Sequence, residues 1–141
     1  MGLILDDLDD HEGFADRRLA DGRLAGGAWS RDTLDWTGYV AACGCGWHAN
    51  HHWPPTENGE EAAADQWRAE HGQPLLARQA TQRREELAGM LGWLGDQGGQ
   101  LDDPTTVARV ARVVDRAGAL LEAVQRDLEW QAAEREAGGE R

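Results

Sequence analysis

The stretch from Trp36 to His71 reads WTGYVAACGCGWHANHHWPPTENGEEAAADQWRAEH, and it decides the fold of the N-terminal half of the chain. It contains both cysteines, four of the five histidines and four of the seven tryptophans, and its centre is the pentapeptide CGCGW at residues 43–47. Thiolates and imidazoles are the ligands that zinc prefers. This concentration predicts a small metal-stabilised β-hairpin followed by a helix.

Residues 34–42 (LDWTGYVAA) predict a strand, because tryptophan, threonine, tyrosine and valine favour β structure. If the strand continues, every second residue lies on the same face of the sheet. That face then carries Tyr39, Ala41, Cys43, Cys45 and Trp47. Residues 47–53 (WHANHHW) form the return strand or a loop, which Pro54 and Pro55 end.

A helix is expected after these two prolines. Thr56 or Asn58 can cap its N-terminus, and Asn58 with Glu61 has the spacing of a capping box. At the other end, Gly72 suits the position that follows a helix, and Pro74 is expected to prevent continuation. The expected helix therefore ends just before Gly72.

Ala63, Trp67 and His71 recur at intervals of four residues, so they lie on one face of this helix. His71 can then reach back over the turn that carries Cys43 and Cys45. Two thiolates and two neutral imidazoles balance the charge of Zn²⁺ and suit a structural zinc site. The fourth ligand is expected to be His51, which shares strand parity with the cysteines, and the alternatives are His52, His48 and His11.

Two other interpretations of these residues stay open. Cys43 and Cys45 can be small buried side chains beside Trp47, with the histidines on the surface. The histidines of the segment HANHH at residues 48–52 can also bind a metal or respond to pH on their own.

Catalysis is disfavoured. A catalytic zinc ion keeps an open position for water, and the base would be Glu60, Glu61 or Glu70. The sequence lacks the His-x-Glu and Pro-Cys-x-x-Cys elements of zinc deaminases, and it lacks His-Glu-x-x-His. Cys43 as a nucleophile would have neither an orienting acid nor an oxyanion hole. The protein is therefore expected not to be an enzyme.

The second half of the chain is predicted to be helical. Residues 74–95 form one helix, with a core-facing series Leu76, Ala80, Arg83, Leu87, Met90 and Leu94. The last helix begins with Asp103 as N-cap and Pro104 in its first turn, and it can extend to Ala137. Its apolar positions alternate strictly by three and four, as in a coiled coil, and are Val107, Val110, Val114, Ala117, Leu121, Val124 and Leu128.

These two helices are expected to fold back as an antiparallel hairpin, which leaves apolar surface uncovered. A homodimer, in which two hairpins form a four-helix bundle, would cover it; the alternative is packing against the β unit. The expected interface residues are Val107, Val110, Val114, Leu121, Val124, Leu128 and, as an anchor late on the helix, Trp130.

The sequence thus predicts the α+β class, with a small antiparallel sheet and a helix followed by a long helical hairpin. The expected divisions are an acidic tail at 1–12, a zinc-stabilised unit at 13–73, the helical hairpin at 74–137 and a tail at 138–141.

Composition limits the possible partners. The formal net charge is −12, and a chain this acidic repels nucleic acid unless a basic face is segregated. No run approaches the ~20 apolar residues of a membrane span, and no signal peptide pattern is visible. A cytoplasmic location is therefore expected. In such a reducing compartment, two cysteines at C-x-C spacing point to metal binding or to inert thiols rather than to a structural disulfide.

The pattern Cys-x-Cys-Gly-Trp followed by Trp-x-x-x-His resembles that of small uncharacterised proteins of high-GC actinobacteria. Residues 36–71 carry this resemblance through Cys43, Cys45, Gly46, Trp47, Trp67 and His71. It implies a compact β-hairpin–helix or zinc-ribbon-like unit and no particular activity.

The functional expectation is a non-enzymatic interaction or regulatory protein with a structural zinc site and a self-associating helical surface. Its partner would be another protein. The alternatives are a nucleic-acid-linked transcriptional regulator or a nucleic-acid mimic, and then a small zinc-dependent enzyme.

Overall fold

The computed structural model describes Leu8, residues 10–27 and residues 35–138. This part contains a three-stranded antiparallel sheet followed by helices, which confirms the α+β class. The chain divides into two compact units, Met1–Ala77 and Arg78–Arg141. Among the described residues, no helix has both the length and the apolar character needed to cross a bilayer.

The sheet has the order β1-β2-β3, and both strand pairs are antiparallel. β1 is Gly13–Leu19, β2 is Trp36–Cys43 and β3 is His48–Trp53. The two strands expected around the cysteines are therefore present, although the expected strand 34–42 begins at a residue outside the described part. β1 pairs with β2 along its length, with one register shift between Arg18 and Leu19.

The helix α1, Glu57–Trp67, packs on the face of the sheet that carries Tyr39. Its N-cap is Thr56, one of the two expected caps, whose hydroxyl oxygen accepts a hydrogen bond from the Gly59 N–H at 3.1 Å. Trp67 is completely buried and is the largest side chain of the core. The buried residues of this core are Tyr39, Ala41, Cys43, Ala49, Ala63 and Trp67.

Gly13, the first residue of β1, lies directly against the indole ring of Trp67. A Cβ atom at position 13 would overlap that ring. The glycine is therefore required by close packing and not by an unusual φ angle. This contact fixes the start of β1 against α1.

The chain does not leave the helical conformation after α1. A π-helical turn, Arg68–Gly72, connects α1 to α2, Gln73–Asp96. The expectation that Gly72 ends the helix is wrong, because Gly72 lacks a positive φ and Gln73 is right-handed helical at φ −61°. Pro74 lies inside this continuous helical run, directly after the π-helical turn, and its missing N–H removes one hydrogen bond from the run.

The helix α3 spans Pro104–Gly138, close to the predicted extent. The predicted N-cap is confirmed, since the Asp103 carboxylate accepts hydrogen bonds from the Thr106 N–H at 2.9 Å and from its hydroxyl at 2.8 Å. The expected tail at 138–141 has only its first residue in the described part, and that residue ends α3.

α2 and α3 contact each other within the C-terminal unit. A buried cluster joins Leu87 of α2 to Ala117 and Val124 of α3, with Met90 and Leu120 packed against it. Ion pairs connect Arg83 with Asp127 at 2.8 Å and Glu86 with Arg116. Arg83, the one charged member of the expected core-facing series of α2, is thus mostly buried and paired with a carboxylate of α3.

The apolar residues of α3 do not all lie on the same side of the helix. Ala117 and Val124 are buried within this chain, although Val124 was expected at an intermolecular interface. Val110 is half-buried. The exposed members are Val107, Val114, Leu121 and Leu128, and Trp130 is also exposed.

Candidate metal centre

The hairpin between β2 and β3 places the two cysteines at different depths. The Cys43 N–H donates to the Trp47 carbonyl and the Gly46 N–H donates to the Cys43 carbonyl, both at 2.9 Å. Gly46 has φ +95°, which closes this three-residue loop as a glycine-bulge hairpin does. Cys43 is buried at the end of β2, and Cys45 is exposed in the loop.

The segment that precedes β1 brings a histidine to this loop. Gly13 lies opposite Cys43 in the sheet, and the Gly44 N–H donates to the Glu12 carbonyl at 2.8 Å. The His11 N–H donates to the carbonyl of Leu8, which is itself buried. The described part of the expected acidic tail therefore packs on the fold and holds His11 beside the cysteines.

The π-helical turn supplies the second histidine. His71 lies in that turn, one residue before its end, and its ring stacks on Trp47 at a centroid distance of 4.6 Å and an angle of 13°. The ring of His11 meets it edge-on at 5.3 Å. π-helical turns occur often at functional sites because they shift the side chains of a helix relative to its ordinary spacing.

These four side chains converge. One ligand atom each of His11, Cys43, Cys45 and His71 lies within 4.8 Å of the other three. The Cys43 Sγ is 3.7 Å from the His11 Nδ1, and the Cys45 Sγ is 3.3 Å from the His71 Nε2. Around a tetrahedral zinc ion, such ligand atoms are roughly 3.3–3.8 Å apart. The cluster is therefore close to the dimensions of a metal site.

Burial raises the pKa of the Cys43 thiol, which would keep it protonated in the absence of a cation. The Cys45 backbone N–H and the Trp67 indole N–H act in the opposite direction and lower that pKa. The Trp67 Nε1 is buried and has no hydrogen-bond partner among the residues that the structure describes. Metal binding would remove the proton of the Cys43 thiol. The resulting thiolate would give the Trp67 indole N–H a charged hydrogen-bond acceptor.

Three of the four predicted ligands are in the group, and the fourth differs. The structure brings in His11, which the sequence offered only as an alternative, and leaves out His51. The His51 ring lies edge-on against Trp53 at 4.4 Å. His51 is exposed on β3.

A β-bulge explains why the alternation of residues between the two faces of the strands predicted the wrong position for His51. Val40 pairs with His52 and Ala42 pairs with His48, so three residues of β3 lie opposite one residue of β2. The simple alternation of faces is lost across these three residues. The other two histidine alternatives lie on the opposite face of the sheet, where His48 and His52 line a surface pocket with Arg18 and Asn50.

Sequence reasoning missed two residues that build the site. Gly13 fixes the N-terminal segment against Trp67, and no local pattern marks it, because the two residues that touch are distant in sequence. Trp47 packs against the core, and the sequence did not reveal that its ring also stacks on His71. The adjacency of Trp47 to the Cys-x-Cys sequence was the available signal.

The chain matches no protein-family model, and neither a curated protein nor a solved structure matches it. The resemblance to small actinobacterial proteins therefore stays a prediction.

Proposed function

We propose that this protein is a non-enzymatic interaction or regulatory protein whose N-terminal unit is held together by one structural zinc ion. The proposed ligands are His11, Cys43, Cys45 and His71. The observation that carries the proposal is that four nitrogen and sulfur ligand atoms from three separate segments lie within 4.8 Å of one another.

The chemistry of the ligands favours zinc. Mg²⁺ and Ca²⁺ take oxygen ligands, whereas thiolates and imidazoles suit zinc. The thiols lose their protons on binding, so two thiolates neutralise the charge of Zn²⁺. Four protein ligands complete a tetrahedron and leave no position for a reactive water, which supports a structural role over a catalytic one.

The need for such an ion follows from the size of the core. Among the described residues, its six buried members include two large side chains, Tyr39 and Trp67, and Trp36, Trp47 and Trp53 pack against them while only partly buried. Domains with so small a core commonly require a metal ion or a disulfide to fold. A zinc ion would connect the segment before β1, the hairpin loop and the π-helical turn that follows α1.

The C-terminal unit would provide the interaction surface. We take α2 and α3 as an antiparallel hairpin, because Arg83 pairs with the later residue Asp127 and Glu86 pairs with the earlier residue Arg116. Its exposed apolar positions support self-association as a homodimer that binds another protein. The net charge of −12 disfavours nucleic acid as that partner, and metal-binding thiols suit the reducing cytoplasm.

The test of the zinc site is the metal content of untagged protein, measured by elemental mass spectrometry on the wild type and on Cys45→Ser. We expect about one zinc per chain in the wild type and almost none in the variant. Asn50→Ser, an exposed change on β3, is the control and should retain the metal. A wild-type protein without metal would overturn the proposal and leave the cysteines as packing residues.

The identity of the fourth ligand is tested by comparing His11→Ala with His51→Ala. Residues that only orient a ligand change metal affinity by roughly 10–100-fold, so loss of a direct ligand should cost at least about 100-fold. His11→Ala should reach that loss, and His51→Ala should leave the zinc Kd within about twofold. Competition with a chromophoric chelator measures both constants, and the reverse order would show that His51 is the ligand.

A further inference from the structure

The surface pocket on the face of the sheet opposite α1 is separate from the metal centre. Its volume is about 240 Å³. Its polar lining consists of Arg18 from β1 and of His48, Asn50 and His52 from β3. The three β3 residues are exposed, and Arg18 is half-buried. Side chains from two strands that do not pair with each other therefore share one cavity.

The loop after β1 forms one wall of this pocket. The Leu19 N–H donates to the Arg23 carbonyl at 2.8 Å, and the Ala25 N–H donates to the Arg17 carbonyl at 2.9 Å. These bonds fold residues 20–25 back along β1. A Cβ atom at Gly22 in this loop would lie 3.7 Å from a guanidinium nitrogen of the Arg18 side chain. The guanidinium therefore lies beside the loop, at the wall of the cavity.

The charge of the pocket differs in sign from that of the whole chain. The chain has 26 acidic residues and a net charge of −12, yet among the described residues no carboxylate lines the pocket. Its polar groups are instead rich in hydrogen-bond donors. A guanidinium has five N–H donors, an amide has two, and an imidazole has at least one. This lining suits a ligand with several anionic oxygen atoms.

The acid nearest to Arg18 on the same face of β1 already has other partners. The Asp16 carboxylate accepts hydrogen bonds from the N–H groups of Arg17, Gly26 and Gly27 at 2.9–3.1 Å. Within the described part of the chain, no carboxylate forms an ion pair with Arg18. A half-buried guanidinium without a counter-ion favours an anion from solution.

We propose that this pocket binds a phosphate group, either free or carried by a small organic ester. Arg18 would hold two phosphate oxygens in the bidentate manner of a guanidinium, and the donors of His48, Asn50 and His52 would bind the others. A phosphate has more acceptor oxygens than a carboxylate, so it matches this number of donors better. The inference adds a ligand site to the proposed function and does not depend on the zinc ion.

The size and the apolar lining of the pocket favour a small ligand. Pockets for drug-sized molecules have volumes of about 300–1,000 Å³, so this one accepts a smaller compound. Leu24 and the buried Val40 also line it and can contact the carbon atoms of an ester. A nucleic acid strand would in addition meet the acidic surface of the chain, which repels a polyanion.

The first test is a titration of the full-length, ¹⁵N-labelled protein with inorganic phosphate, followed by NMR. We expect saturable shifts of the backbone amides of Gly22 and Asn50, with a Kd in the millimolar range. Phenyl phosphate is the second ligand. A lower Kd than that of phosphate would assign the site to an ester, and an equal Kd would assign it to free phosphate. No saturation at tens of millimolar of either, or equally tight binding of acetate, would overturn the proposal.

Variants on the two faces of β1 test the role of the guanidinium. Arg18→Met should raise the phosphate Kd at least about tenfold, because hydrogen bonds between charged groups are lost. The matched control is Arg17→Met, which removes the same charge from the other face, where Arg17 lies over the Trp36 ring at 4.8 Å. It should change the Kd less than about twofold, because charges outside the pocket are screened.

A second variant keeps the test valid if a change in β1 disturbs folding. His52→Ala alters an exposed side chain of the edge strand and should raise the phosphate Kd roughly threefold through loss of one donor. His51→Ala, the neighbouring exposed position that does not line the pocket, should leave it unchanged. Equal Kd values for the wild type and His52→Ala, or equal weakening by Arg17→Met and Arg18→Met, would overturn the proposed site.

Discussion

Removal of zinc with a strong chelator is expected to unfold the N-terminal unit. Structural zinc contributes on the order of 10 kcal/mol in small domains, which is as much as the total stability of many of them. The core beneath the site is small, and the segment with His11 contacts the rest of the unit close to the site. Loss of the ion should therefore release Trp67, which is completely buried.

The measurement is the tryptophan fluorescence maximum together with near-ultraviolet circular dichroism, followed during chelator addition. We expect a red shift of the emission and loss of the near-ultraviolet signal, both reversed by added zinc. Cys45→Ser should show the altered spectra from the outset and should not respond to chelator. Wild-type spectra that do not change when the metal is removed would show that the fold is independent of the ion.

Gly13→Val should be the most damaging change that touches no proposed ligand. Its side chain would overlap the indole ring of Trp67, which has no space to move in a closely packed core. Overpacking of this kind costs about 3 kcal/mol. Because His11 is two residues away, the zinc Kd should rise as well.

Urea unfolding measures the loss of stability, and chelator competition measures the zinc Kd. The matched control is Gly44→Ala, since a Cβ there would only make ordinary contact with the Glu12 carbonyl oxygen at 3.8 Å. The control should stay within about 0.5 kcal/mol of the wild type. Equal stabilities of the two variants would show that the packing of Gly13 on Trp67 does not hold the N-terminal segment.

Much of the fold could be predicted because local chemistry determines it. Asp103 and Pro104 mark the start of α3 since a capping carboxylate and a first-turn proline both fit there. The alternation of β-forming residues fixes β2, and Cys43, Cys45 and His71 follow from the ligand preferences of zinc. The first two inferences need only residues close together in sequence, and His71 was found through its four-residue spacing from Trp67.

The rest of the fold and of the site depends on contacts between residues that are distant in sequence. His11 reaches the cysteines because β1 pairs with β2, and nothing near residue 11 reveals that pairing. The alternation of strand faces predicted the wrong position for His51, because a β-bulge shifts the pairing of β3 with β2. The π-helical turn that carries His71 also has no local signature, since Gly72 and Pro74 favour termination.

The apolar series of α3 shows a different limit. Its spacing predicts the helix correctly, but it does not say which residues face α2. Burial of Val124 against Leu87 and exposure of Leu121 are decided by the rotation of α3 about its own axis. Only the structure separates the intrachain contacts from the surface proposed for a second copy.

The most direct test of the central claim is zinc K-edge X-ray absorption on the purified, untagged protein. The proposed ligands His11, Cys43, Cys45 and His71 predict two sulfur atoms at about 2.3 Å and two imidazole nitrogens at about 2.0–2.1 Å. In His11→Ala one nitrogen contribution should be lost while both sulfurs remain. A first shell of only oxygen and nitrogen, or a single sulfur, would contradict the account.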